Sequence, residues 1–193
     1  MAVWEYIEDG DHYQSICLIN DDDGKLIIGH FKGKSFPRPW EPLPVYYPDW
    51  EELMAGATEE EKALWTPPKG NLPRGDFPYL AAVPVFSDRA MNELLPLIEQ
   101  SVQVLPLACE EDNLYIINVV DVVDCLDKVQ SKLKRFSQGG VMRIEHHVFR
   151  EEAIRDKHIF KIPELSVPVY VSDTFKAAVE DKGLEGLLWK PLS

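Results

Sequence analysis

The sequence predicts an α+β fold in which short helices cover a mixed sheet. Short apolar runs typical of strands alternate along the chain with short amphipathic stretches typical of helices. One pattern also occurs twice: VPVFSDRA (83–90) leads to VLPL (104–107), and VPVYVSDTF (167–175) leads to LWKPL (188–192). Each copy indicates a strand–helix–strand unit, and we expect the units 83–107 and 167–192 to build one mixed sheet.

Length and composition indicate a globular protein with a real core. The chain has 193 residues, of which 45% are hydrophobic and 27% are charged. We expect a single domain over residues 1–193. A soft boundary divides an acidic N-terminal part (1–78), which contains a Pro-rich loop, from an α+β core (79–193).

The acidic N-terminal part begins with strand-like runs. YQSICLI (13–19) and KLIIGHF (25–31) flank NDDDG, whose Asp23-Gly24 pair predicts a hairpin turn. PRPWEPLPVYYP (37–48) holds five prolines and predicts a stiff surface loop. Two short helices should follow: Asp49 can cap WEELMA, which Gly56 ends, and Thr58 with Glu61 forms a capping box for EEEKALW. TPPKGNLPRGDFP (66–78) reads as a second loop.

Both repeated units place Ser-Asp between a strand and a helix. Serine is a preferred N-cap, and the aspartate favours the positive end of the helix dipole. Ser87 and Ser172 should therefore cap their helices rather than act as nucleophiles. Pro96 should kink or split the first helix, and Gly183 should end the second.

Between the units we expect a strand at 113–120, a short helical turn at 121–129 and a hairpin of SKLKRF with VMRIEHHVF. A short helix in EEAIRD and a strand at HIFKI (158–162) should follow.

The charge is strongly acidic and unevenly distributed. The chain has 20 basic and 33 acidic residues, a net charge of −13, and residues 1–65 alone carry −9. Direct binding to nucleic acid needs a basic face, so the balance argues against it. An acidic surface either keeps the protein soluble or attracts a basic partner. The second interpretation is the more specific one.

The terminus and the cysteines indicate a cytoplasmic protein. MAVWEYIEDGDHY is acidic where a signal peptide would be basic, and no apolar run is long enough to span a membrane. Cys17, Cys109 and Cys125 form no CxxC pair. We therefore expect three free thiols in a reducing compartment.

The patterns for metal or cofactor chemistry are weak, and we expect neither. Aligned on Gly24, NDDDG lacks the ligands that an EF-hand loop needs at its first and last positions. His146 and His147 are neighbours on a predicted strand and should point to opposite faces. Cys125 near Asp124 and Asp127, with a distant histidine, keeps a small cytoplasmic hydrolase open as an alternative, and no nucleotide-binding motif is present.

Residues 40–65 combine aromatic and acidic side chains, the composition of many protein interfaces. The alternative is that the aromatics fix a long loop onto the core. With the aspartates of NDDDG, the candidate partner-binding residues are Asp21, Asp22, Asp23, Trp40, Tyr46, Tyr47, Trp50, Glu51, Glu52, Glu59, Glu60 and Glu61.

Several of these segments also resemble a known family. In order along the chain they are VPVFSDRA, VLPL, LYIINVVDVVDCLD, VMRIEHHVF, HIFKIPE and VPVYVSDTFKAAVEDKGLEGLLWKPL. They resemble the bacterial immunity proteins of polymorphic toxin systems, a family named for a myxobacterial kin-discrimination immunity protein. The resemblance covers about residues 83–192 and is most specific at the C-terminal VSD-x-F and GLEGLLWKPL; Thr174 stands where a basic residue is expected. Residues 1–78 resemble no family.

The resemblance implies a cytoplasmic, non-enzymatic protein that binds and neutralises a cognate toxin. The partner it implies is a nuclease-like domain, whose basic cleft an acidic surface could occupy. No cofactor and no membrane contact are implied. A regulatory binding module with no toxin partner remains a further alternative, and a homo-oligomer stays open.

Overall fold

The computed structural model describes residues 2–37, 39–64, 72–81 and 83–192. Trp65 and the first part of the predicted loop at 66–78 lie outside these residues, as do the side chains of Asp21 and Glu61. The strands are β1 (Val3–Glu8), β2 (Cys17–Leu18), β3 (Leu43–Tyr46), β4 (Val85–Ser87), β5 (Val102–Ala108), β6 (Leu114–Val119), β7 (Lys132–Arg135), β8 (Val141–His146), β9 (Ile159–Ile162), β10 (Leu165–Ser172) and β11 (Leu187–Pro191). The helices are α1 (Asp21–His30), α2 (Trp50–Gly56), α3 (Glu59–Leu64), α4 (Asp88–Ile98), α5 (Glu151–Ile154) and α6 (Asp173–Asp181).

Within the described residues the strands form three sheets, which confirms the α+β class. A mixed sheet has the order β2-β3-β5-β6-β4, with β3 and β5 parallel. A second sheet, β11-β1-β10-β9, is antiparallel throughout. Strands β7 and β8 form a separate hairpin, as expected.

The two repeated units are strand–helix–strand, as predicted, but they lie in different sheets. In the first unit β4 and β5 flank β6, and in the second β10 and β11 flank β1. The strands of each unit are therefore parallel to each other and separated by one antiparallel strand from elsewhere in the chain. The expected single sheet does not form because each unit leaves a gap that a different strand fills.

The registers of the two units correspond residue by residue. Tyr115 on β6 lies opposite Phe86 and Pro106, and Trp4 on β1 lies opposite Val171 and Pro191. The Ser-Asp aspartates then repeat one contact: Tyr115 Oη donates to Asp88 at 3.3 Å, and Trp4 Nε1 donates to Asp173 at 2.8 Å. Trp4, far away in sequence, thus completes the second copy of the pattern.

Helices α4 and α6 pack against each other over the largest core. Ser87 accepts from the Ala90 amide at 3.1 Å, and Ser172 accepts from the Phe175 amide at 3.2 Å, so both predicted N-caps are confirmed. The fully buried Leu94 and Phe175 show which faces point inwards. This core lies between the two helices and the inner faces of both larger sheets.

A buried carboxylate joins the two units. Asp76 accepts hydrogen bonds from Ser87 Oγ, Arg89 Nη1 and the Glu185 amide, each at 2.9 Å. The same guanidinium donates to the carbonyls of Lys182 and Gly183, at the C-terminal end of α6. Asp76 therefore ties the start of α4 to the end of α6.

Two further cores lie beside the first. In one of them α1 packs against the mixed sheet, with Ile27 of α1 near Val45 of β3 and Leu105 of β5. The other surrounds Cys125, Phe160 and Tyr170 on the antiparallel sheet.

Several local expectations are wrong. Residues 21–30 are helical instead of forming the second half of a hairpin, because three aspartates favour a helix N-terminus and Ile27 and Phe31 pack one turn apart. The loop at 37–48 contains β3, in which the Pro44 carbonyl still accepts from the Ile19 amide at 3.1 Å. Residues 121–129 form no helix. Of the two outcomes expected at Pro96, a kink or a split, the split does not occur, because α4 continues to Ile98.

Other local expectations hold. Asp49 caps α2 by accepting from the amides of Glu51 and Glu52, and Gly56 ends that helix. Helices α3 and α5 lie where they were predicted, and Gly183 adopts a positive φ of 58° directly after α6.

Candidate functional site

The aromatic side chains of residues 40–65 divide into two groups. Trp40 and Tyr47 are half-buried against the core that contains α1 and β3. The indole Nε1 of Trp40 donates to the Pro106 carbonyl at 2.8 Å, and its ring meets Phe36 edge-on at 4.9 Å. Trp40 and Tyr47 therefore fix the loop onto the core, which is the alternative to an interface role that the sequence left open. Tyr46 and Trp50 are half-buried but belong to none of the three cores.

Tyr47 connects this region to two distant parts of the chain. The Arg74 guanidinium lies 4.3 Å from the centre of the Tyr47 ring, and its Nη1 pairs with Asp112 at 3.2 Å. Burial and the nearby Asp112 carboxylate raise the pKa of Tyr47 well above its ordinary value. The contact shows how a guanidinium is held here between an aromatic face and a carboxylate.

An open pocket lies where β3 meets α2. Its volume is about 490 Å³, and its lining residues are Tyr46, Tyr47, Asp49, Glu52, Leu53, Gly56 and Ala57. The walls combine two phenol rings, two carboxylates and an aliphatic floor. A long cationic side chain fits this chemistry, since its alkyl stem can pack on the rings while its charge meets the carboxylates.

The acidic side chains at the starts of α2 and α3 are exposed. Glu51 and Glu52 lie in the first turn of α2, while Glu59 and Glu60 begin α3. Glu59 pairs with Lys62 at 3.0 Å, within the same helix. We call Tyr46, Tyr47, Asp49, Trp50, Glu51, Glu52, Glu59 and Glu60 the acidic aromatic surface.

The aspartates of NDDDG belong to a different element. Asp22 and Asp23 lie in the first turn of α1, where Asp22 pairs with Lys25 at 2.6 Å and Asp23 accepts from Asn20 at 3.2 Å. Both have partners within their own turn. No contact in the described residues joins them to the acidic aromatic surface.

The residues of the hydrolase alternative are not arranged as a catalytic site. Cys125 is fully buried, and burial together with the Glu164 charge raises its thiol pKa to about 12, the opposite of an activated thiolate. His147 stacks on Phe149, with ring centres 5.6 Å apart, and burial lowers its pKa. His146, the last residue of β8, is exposed, and His147 follows the strand.

Two further features are absent from the residues that the structure describes. These residues contain no cluster of three or more side chains able to hold a metal ion. None of the helices among them has the length and apolarity needed to cross a membrane.

Sequence reasoning missed the residues that brace the surface from outside the segment. Arg74 and Asp112 contact Tyr47 but are 38 residues apart in the chain. No local pattern marks such a pair. Asp49 belongs to the acidic and aromatic segment 40–65 and is a predicted helix cap, but only the structure shows that it lines the same pocket as Tyr46 and Tyr47.

The part of the chain that matches a known family does not include the acidic aromatic surface. No curated protein matches the chain. Residues 107–193 match the model of an immunity protein family (Imm11). The match includes β6 to β11, the hairpin and the second repeated unit, and the acidic aromatic surface lies outside it.

Proposed function

We propose that this protein is an immunity protein that binds a cognate antibacterial toxin and neutralises it by stoichiometric binding. The observation that carries the proposal is the match of residues 107–193 to an immunity protein family. Such a protein meets its toxin in the compartment where the toxin acts. For a nuclease that compartment is the cytoplasm.

The charge of the chain supports a basic partner. A net charge of −13, with −9 in residues 1–65, would steer a positively charged domain towards the acidic aromatic surface. Nucleases have basic clefts because they bind a polyanion. A nuclease-like toxin is therefore the partner that the electrostatics favours.

The pocket between β3 and α2 supplies the local contact in this proposal. A lysine or arginine of the toxin would enter between the Tyr46 and Tyr47 rings and pair with Asp49 and Glu52. Arg74 already makes such a contact within the protein, since its guanidinium lies 4.3 Å from the centre of the Tyr47 ring. Trp50, half-buried at the start of α2, supplies an aromatic anchor beside the pocket.

The exposed acids and the anchor should affect different rate constants. Acids at the rim mainly accelerate association, so the triple variant Glu51→Gln, Glu52→Gln, Glu60→Gln should bind more slowly, with a flatter dependence on salt. Trp50→Ala should accelerate dissociation and cost about 2 kcal/mol of affinity. Surface plasmon resonance against the C-terminal domain of the toxin encoded beside this gene measures both rate constants.

A matched control variant distinguishes the effect of where the acids lie from the effect of lowering the net charge. The variant Glu99→Gln, Glu152→Gln, Asp181→Asn removes the same number of exposed acids elsewhere and should bind like the parent. Thermal melts check that every variant remains folded. If the two triple variants bind alike, the toxin contacts another surface.

The activity of the toxin in the presence of this protein tests the proposed immunity function directly. The toxin domain alone should degrade nucleic acid and stop bacterial growth, and one equivalent of this protein should prevent both. A toxin that remains active under excess protein contradicts the immunity function. A neutralised toxin that acts on another substrate leaves immunity intact and excludes only the nuclease.

A further inference from the structure

The β7–β8 hairpin presents an apolar tip to solvent. Leu133 and Ile144 are paired across its inward side and pack against the core around Cys125. Phe136 at the turn is 52% exposed and Met142 is 42% exposed. Aromatic and methionine side chains grouped at an exposed position are enriched in protein interfaces.

The same hairpin is basic on a strongly acidic protein. Residues 132–146 contain four basic residues and one acidic residue, a net charge of +3, so the rest of the chain carries −16. Glu145 pairs with both Lys132 and Arg143 at 2.9 Å. Lys134 and Arg135, beside Phe136, have no acidic partner among the described residues.

The pairing of β7 with β8 places two positive charges opposite each other, which destabilises the hairpin. Lys134 lies directly opposite Arg143. Like charges facing each other across two strands destabilise a sheet. A two-stranded hairpin has little stability to lose, so an acidic surface that covers these bases would relieve the repulsion.

From these observations we propose that the hairpin of one molecule docks on the acidic aromatic surface of a second copy. The chain itself contains the complementary chemistry: exposed carboxylates around a pocket lined by Tyr46 and Tyr47. Lys134 or Arg135 has the charge and the alkyl stem that this pocket accepts. The contact is head-to-tail, so both copies keep one unused face and larger assemblies can grow.

A polyanion fits the hairpin less well than a second copy does. The −16 of the remaining chain repels DNA or an anionic membrane as a whole. A second copy is also acidic as a whole, with a net charge of −13, but its pocket offers the aromatic rings and carboxylates at one place that DNA and a membrane lack. Self-association also requires no toxin, so its test is independent of the proposed immunity function.

Two variants test the contact from its two sides. The hairpin variant combines Lys134→Gln, Arg135→Gln and Phe136→Ser, and the surface variant combines Glu51→Gln and Glu52→Gln. Sedimentation velocity on the full chain should show that the parent associates at ~0.05 M salt and dissociates at ~0.5 M salt. Each variant alone should associate about tenfold or more weakly.

Mixing the variants identifies the geometry. The hairpin variant retains the acidic aromatic surface, and the surface variant retains the hairpin. An equimolar mixture should therefore form a one-to-one dimer and nothing larger. The control Arg155→Gln, Lys182→Gln removes two exposed bases elsewhere and should associate like the parent.

Three results would overturn the proposal. The parent could remain monomeric at low salt, or the hairpin variant could associate as strongly as the parent. The mixture could also fail to form the dimer, which would mean that the two faces do not meet. Binding of the parent, but not of the hairpin variant, to phosphatidylserine vesicles or DNA without self-association would assign the hairpin to a polyanion instead.

Discussion

Single side chains in this protein often have a role that their local pattern does not show. Asp88 and Asp173 follow their N-cap serines, as the helix-dipole argument expects, but each also accepts a hydrogen bond from an aromatic residue on the inserted strand. Gly186, in the C-terminal GLEG, has a φ of 111° and lies against the backbone of Gly75 and Phe77. This part of the family-like pattern therefore packs on the segment around Asp76, which accepts hydrogen bonds from both units.

Glu8, at the end of β1, should make stability depend on pH. Burial raises its pKa from 4.5 to about 7. Because the folded pKa is above the unfolded one, the folded state binds more protons between these values, and stability should fall as pH rises from about 4.5 to 7. The expected loss of unfolding free energy is on the order of 2 kcal/mol. It is smaller than the pKa shift alone implies, because water partly screens the exposed part of the side chain.

The variant Glu8→Gln should remove most of this loss and should be more stable than the parent at pH 8. Urea unfolding at pH 5 and pH 8 measures the difference. Glu5→Gln removes a carboxylate from the same strand, where it pairs with Lys190 at 2.6 Å in the parent; it is the control, and the pH dependence assigned to Glu8 should remain in it. Equal slopes for Glu8→Gln and the parent would show that Glu8 does not titrate in this range.

At the scale of elements, one serine caps the start of α4 and another caps the start of α6. Ser87→Ala and Ser172→Ala should each cost about 1 kcal/mol of unfolding free energy, because an amide in the first turn loses its acceptor. Each hydroxyl also has a second partner, since Ser87 Oγ donates to Asp76 at 2.9 Å and Ser172 Oγ lies 3.1 Å from His158 Nδ1, so both substitutions also remove this second hydrogen bond.

Denaturant titrations of these variants should be compared with Ser137→Ala in the exposed hairpin turn, which should change stability very little. Toxin binding should survive both cap substitutions. Lost binding with an unchanged melting temperature would mean that the serine has a direct role in function.

The whole molecule depends on a strand from outside the segment that matches the family. Strand β1 lies between β10 and β11, and the second repeated unit therefore has a gap without it. Trp4 and Tyr6 also contribute to the largest core. The N-terminal part thus completes the fold as well as carrying the acidic aromatic surface.

A fragment of residues 107–193 should therefore fail to fold alone, although it contains the whole matched segment. It lacks β1 and α4, so β10 and β11 have unpaired edges and α6 has no partner helix. Circular dichroism should show no cooperative thermal transition, in contrast to the full chain. A sharp transition in the fragment would show that β1 is dispensable.

The sequence by itself determined the features that depend on neighbours in the chain. They include the α+β class, the serine caps, the helix ends at Gly56 and Gly183, the β7–β8 hairpin and the excess of acid in residues 1–65. Caps, turns and hydrophobic periodicity depend on residues only a few positions apart, and the net charge follows from the composition alone. The match to an immunity family likewise rests on sequence alone.

Only the tertiary structure decided how distant segments meet. Residues 20–24 resemble a turn and 25–31 a strand, but 21–30 are helical because Ile27 and Phe31 are buried in the core on one side of this helix. The repeated units separate into two sheets because β6 and β1 pair inside them, and the pocket exists because α2 lies beside Tyr46 and Tyr47. Packing between segments far apart in sequence outweighs local preference, since most of the stabilising apolar area is buried there.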